Sequence, residues 1–111
     1  MDIIWSNLAL QDLKEIAHYV SDNFGDKVAH ASIEKLQKKV NSLKLFPESG
    51  ILDRKLSSKN YSVHRLIVIP NVIYYLLEAD SIVVMTIVHT RRSARFVNSV
   101  LKRFLEHYEQ I

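Results

Sequence analysis

Arg65 and the tetrapeptide His89-Thr90-Arg91-Arg92 hold the residues whose types and spacing could do chemistry. Guanidinium groups stay charged at any working pH and present a fork of donors that matches phosphate or carboxylate oxygens. Imidazole, with an ordinary pKa of about 6.5, exchanges a proton near neutrality. A histidine among arginines therefore suits two tasks at once, holding an anion and moving a proton, which is what phosphodiester cleavage demands. Without the proton transfer, the same set is a docking rim for an anionic partner. Arg54 and Lys55 add cations in the segment 51–60, ILDRKLSSKN, which reads as a loop because Ser58 and Asn60 favour turns. Structural roles compete with each of these. His89 can simply hydrogen-bond a strand end, and Arg65 can form an ion pair with Glu48 or Glu78. His64 alternates with Arg65, faces the other way and reads as a packing residue. His18, His30 and His107 show no ligand spacing, so neither a metal nor a cofactor is expected.

The elements that must position these residues are centred on Tyr61 to Arg92. β-Branched and aromatic residues fill this stretch, and two short breaks, Pro70-Asn71 and Ala79-Asp80, divide it into three strands. Pro70 gives no N–H to a ladder and Asn71 tolerates the left-handed region, so both suit a hairpin reversal. Upstream, Ile3-Ile4-Trp5 offers a short strand and Ser6 an N-cap. Ala9, Leu13, Ile16, Ala17, Val20 and Phe24 then follow at helical spacing. Gly25 suits a left-handed helix end and Asp26 the cap of a second helix, whose stripe is Ala29, Ile33, Leu36, Val40 and Leu43. Pro47 and Gly50 close that helix. Val97, Leu101, Phe104 and Tyr108 mark a third amphipathic helix. The order β-α-α-β-β-β-α predicts an α+β domain over residues 1–111. Its four-stranded, mostly antiparallel sheet carries the helical hairpin on one face, with the C-terminal helix at the end. The meander should bring Arg65, His89, Arg91 and Arg92 to one rim.

Composition narrows the partners. A chain of 111 residues with 48% hydrophobic content supports one core. The absence of cysteine excludes disulfides, thiolate metal sites and a cysteine nucleophile. The longest apolar run, Leu66 to Leu77, is interrupted by Pro70-Asn71 and is too short for a membrane span. Met1 to Asn7 lacks the basic-then-apolar pattern of a secretory signal, so a cytoplasmic location is expected. Net charge is +3, but acids dominate up to Glu34, whereas Arg91, Arg92, Arg95, Lys102 and Arg103 occur between His89 and Leu105 without an acid among them. That asymmetry argues for an anionic partner at the C-terminal end.

Taken in order, Ile4-Trp5-Ser6 opening a helix with Ala9 and Asp12-Leu13, Gly25, Leu45-Phe46-Pro47 with Gly50, Arg65, Val72-Ile73-Tyr74-Tyr75, and Val88-His89 with Arg91-Arg92 resemble the RelE/ParE superfamily of bacterial type II toxins. The resemblance implies a growth-inhibiting, plasmid-stabilising type of protein, neutralised by an antitoxin that wraps it, with a homodimer or toxin–antitoxin hetero-oligomer as the assembly. RelE-like and YoeB-like members cut mRNA in the ribosome; ParE-like members inhibit DNA gyrase. The YoeB-like set implies Glu48 as a base, Arg65 on the phosphate and His89 as the acid–base candidate. Those enzymes follow the histidine with a tyrosine, where this chain has Thr90, which cannot stack on a base; Tyr108 is the phenol that could substitute. The Val88-His89-Thr90-Arg91-Arg92 ending is closer to the ParE-like branch, which makes gyrase inhibition the first reading. A ribosome-dependent nuclease is the second, and a non-toxic partner-binding module the third.

Overall fold

The computed structural model describes residues 1–109. Strand β1 (Asp2–Trp5) leads into α1 (Asn7–Phe24) and α2 (Asp26–Asn41), and a single 3-10 turn (Ser42–Lys44) follows. Then come β2 (Ile51–Asp53), β3 (Ser62–Val68), β4 (Asn71–Leu77), β5 (Ser81–His89) and α3 (Ala94–Glu109). The sheet order is β1-β5-β4-β3-β2, and only the β1–β5 pair is parallel. The α+β class and the element order agree with the sequence reading, but there is a fifth strand. Ile51–Asp53, expected to be loop, pairs antiparallel with Val63–Arg65.

Local signals explain most boundaries. Ser6 caps α1, its Oγ accepting the Ala9 N–H at 3.0 Å. Gly25, at φ 91°, lies where only glycine is at ease, and its carbonyl accepts the Ala29 N–H; it is therefore Gly25 and not Asp26 that caps α2. Asp26 instead accepts from the Ser21 hydroxyl across the helix junction. The β3–β4 reversal consists of Ile69 and Pro70, and Asn71 is already in the strand opposite Val68; among the described residues none other than glycine has a positive φ.

Two apolar layers flank the sheet. Ala9, Leu36, Val40, Val68, Ile73, Val84 and Ile87 are buried between the sheet and the α1–α2 hairpin. On the other face Val63, Leu76, Val83 and Met85 meet Val97, Leu101 and Leu105 of α3. Phe104 and Tyr108, expected in the α3 stripe, are half-buried beside it and stack on each other at 6.0 Å. Truncating a fully buried leucine such as Leu36 to alanine would cost about 2–5 kcal/mol, so each layer contributes substantially to holding the sheet.

Candidate partner-binding site

Strand β5 outruns its neighbour. β1 pairs with Ser81–Val84 only, so the outer edge of β5 from Met85 onward has no strand beside it. Unpaired edge groups need partners, and the start of α1 supplies them. The Ser6 N–H donates to the Val84 carbonyl at 3.1 Å, and the Ser6 hydroxyl to the Met85 carbonyl at 2.8 Å. Nearly two turns further along α1, an Asp12 carboxylate oxygen accepts both the Ile87 N–H, at 3.0 Å, and the Thr86 hydroxyl. The β4–β5 register slips by one at this place, Tyr74 lying opposite Thr86 but Tyr75 opposite Val84. Such a bulge bends the strand and re-aims its side chains. Burial raises the pKa of Asp12 above its usual value, more than the Thr86 and Ile87 hydrogen bonds lower it.

With the edge sealed by α1, a groove of about 710 Å³ is left between α1, the end of β5 and the start of α3. Ile16, Val20 and Phe24 of α1, Val28 of α2, and Phe96 and Val100 of α3 supply its apolar wall. Phe24 and Val28 remain 63% and 46% exposed in this wall. Asp12, Glu15, Tyr19, His89 and Arg92 are the ionisable groups of the lining. Arg92 lies over the Phe96 ring, 4.1 Å from its centroid, so its charge is fixed at one end of the groove.

The candidate residues named from the sequence are distributed over several places. His89 does hold the strand end: its Nδ1 accepts the Arg91 N–H, and its carbonyl accepts the Arg92 N–H, both at 3.0 Å. Arg91 is exposed on the same turn. Val68, Asn71 and His89 form one cross-strand row, and Val68 belongs to the hairpin-side layer. Arg65 is three residues before Val68 and pairs with Tyr74 of the α3-side layer, so it faces the opposite way. The expected convergence of Arg65 with His89, Arg91 and Arg92 is thereby corrected for His89, from which the sheet separates Arg65. Glu48 is elsewhere again, beside Pro47, whose carbonyl accepts the Tyr75 hydroxyl at 2.7 Å. Arg54 and Lys55 are exposed on the turn after β2, which Asp53 holds by accepting the Leu56 N–H at 3.1 Å. Arg65 forms no ion pair with Glu48 or Glu78; among the described residues the one salt bridge is Lys38–Glu34. Glu78 instead accepts from the Tyr108 hydroxyl, and burial, with that carboxylate second, pushes the Tyr108 pKa up to about 12. Tyr108 is thus tied to the β4–β5 turn. Among the described residues no group of three or more His, Asp or Glu side chains is placed to hold a metal ion, and no helix is long and apolar enough to cross a membrane.

Sequence reasoning missed Asp12 and the groove it underlies. The signal for Asp12 was present: it stands three residues after Ala9 and four before Ile16, a carboxylate on the buried stripe of a helix. Phe96 gave no comparable sign, since its role depends on where α3 begins.

The residues thus build a small α+β domain with an apolar groove and cations at one end of it. The chain belongs to the family described as ParE toxin of type II toxin–antitoxin system, parDE, whose model matches residues 3–94. Among solved structures it resembles the chromosomal ParDE toxin–antitoxin system from P. aeruginosa, with a TM-score of 0.64 and 18% identity over 80% of this chain and 95% of that one. At that identity the likeness concerns the fold. No curated protein matches. As a toxin of the parDE type, the chain has an antitoxin for a partner.

Proposed function

We propose that this toxin arrests bacterial growth in the cytoplasm by binding DNA gyrase, and that its antitoxin neutralises it by laying an amphipathic, acidic helix into the groove between α1, β5 and α3. The observation that carries the binding reading is the dispersal of Arg65, His89 and Glu48. Arg65 is on the α3 side of the sheet, His89 is engaged in the turn after β5, and Glu48 is beside the Tyr75 hydroxyl on the hairpin side. General acid–base cleavage needs its proton donor and acceptor within hydrogen-bond reach of one phosphate, and this arrangement gives no support to such a pair. The antitoxin reading is supported by the groove itself. Its apolar wall follows α1 for four turns from Leu8 to Phe24, and Arg92 and His89 at one end favour a carboxylate on the incoming helix.

One comparison tests the target. Purified toxin should block supercoiling by purified gyrase and leave mRNA on translating ribosomes intact. Cuts in codon register, with supercoiling unaffected, would replace gyrase by the ribosome.

A further inference from the structure

The groove leaves a second surface unexplained. On the α3 side of the sheet, Ile51, Arg65 and Tyr74 form one cross-strand row, because Ile51 pairs with Arg65 and Arg65 with Tyr74. Directly paired residues share a face, and Tyr74 packs against the α3-side layer, which fixes which face it is. The next row on that face pairs Ile67 with Val72. α3 lies chiefly along β5 and covers Val63 near the start of β3, but it leaves Ile51 and Ile67 47% and 50% exposed on a hydrogen-bonded support. Arg65 stands between them, half-buried, without an ion pair or hydrogen bond to a side chain among the described residues. Asp53, the nearby acid, is already engaged by the Leu56 N–H, and exposed Arg54 and Lys55 follow it.

A tyrosine and an unpaired arginine at the centre, with exposed isoleucines around them, have the composition of a protein–protein hot spot. Phosphate contacts use cations and small polar donors, and two bare isoleucines contribute nothing to them, so the patch fits protein better than nucleic acid. The guanidinium requires a counter-charge once water is excluded. We propose that Ile51, Arg65, Ile67 and Tyr74 are the surface with which the toxin grips its target, and that the target presents a carboxylate set in an apolar surround. This rests on the reading that the toxin acts by binding. It adds that the working surface is towards the β2–β3 edge of the sheet, whereas the antitoxin groove is at the β5 edge.

Ile67→Asp and Arg65→Ala, made separately in the full chain, test this. Each is expected to relieve growth arrest in a bacterial host and to weaken capture of purified gyrase on the order of thirtyfold, the loss expected on removing a hot-spot residue. Co-purification with the antitoxin and the melting temperature should be unchanged, which shows that the variants fold. If wild-type toxin fails to capture gyrase while both variants still relieve arrest, the surface stands and only the gyrase assignment falls. Full arrest by both variants would overturn the proposal. So would parallel loss of arrest and of antitoxin binding, which would make this face part of the antitoxin site. Ile67→Lys addresses the remaining occupant: arrest retained with the added cation but lost with Ile67→Asp would indicate a nucleic acid and also overturn the proposal.

Discussion

The rings of His64 and Tyr75 lie flat against each other, 5.1 Å between centroids and 8° from parallel, on neighbouring strands of the sheet. This pair fastens the loop after α2 to the sheet. His64 Nδ1 faces the Gly50 carbonyl at 3.3 Å and Nε2 the Ser62 hydroxyl at 2.9 Å. The Tyr75 hydroxyl donates to the Pro47 carbonyl and accepts the Gly50 N–H at 3.0 Å.

Tyr75→Phe should therefore destabilise the fold by about 1–3 kcal/mol, the cost of leaving buried polar groups without partners. Gly50→Ala should be at least as damaging. A Cβ there would come within 2.8 Å of the Tyr75 ring and 2.9 Å of the Arg65 carbonyl, and the backbone oxygen cannot swing aside. Overpacking of this kind typically costs about 1–3 kcal/mol. Urea unfolding of both variants measures the losses; wild-type midpoints would mean that the loop is not fastened in this way.

Asp12 gives the stability a sign with pH. Its native pKa is raised above 3.8 chiefly by burial, so the folded chain holds that proton more tightly than the unfolded chain does. The contribution is fully present below 3.8 and is lost as pH rises through the native value. Asp12→Asn keeps an acceptor for the Ile87 N–H and does not titrate. Melting wild type and variant in parallel between about pH 3 and about pH 7 should show wild type losing ground to the variant as pH rises. A gap that moves the other way would mean that the two hydrogen bonds outweigh burial.

The groove makes a complementary prediction about neutralisation. Phe24→Asp puts a carboxylate on an exposed apolar wall, and surface changes of that sort shift folding by within about ±0.5 kcal/mol. Antitoxin affinity should nevertheless fall on the order of thirtyfold or more, while growth arrest persists. Titration of the antitoxin by calorimetry, with arrest scored alongside, checks both halves.

Much of the fold was legible because periodicity carried it. The steps of four and three in α1 and α2, the Ser6 cap and the alternation through β3 to β5 are local signals, and the structure keeps them. β2 was not legible. Three residues followed directly by Arg54 and Lys55 are too few to show a period, and Ile51–Asp53 is a strand only because β3 lies beside it. The candidate residues were nameable one at a time, but their grouping depends on register. Starting β4 at Asn71 instead of using Asn71 in the turn decides which residues of β3 and β4 stand opposite each other, and hence that Arg65 shares a row with Tyr74 while His89 shares one with Val68. No single residue encodes that register.

The parallel pairing of β1 with β5 also sets an order of events during synthesis. Ser6 and Met85, joined by a hydrogen bond, are 79 positions apart, and Asp12 and Thr86 are 74 apart. The helical hairpin leaves the ribosome first, with Ala9, Leu36 and Val40 ready to be covered but without Val84 and Ile87 to cover them. A nascent chain that has not yet reached Ser81 has no seat for β1, no edge for Asp12 to cap and only part of the groove's wall. The groove proposed for the antitoxin is therefore complete only after the β5 segment has been made, and a transcript truncated before that codon should yield a chain that proteases clear rather than one that arrests growth.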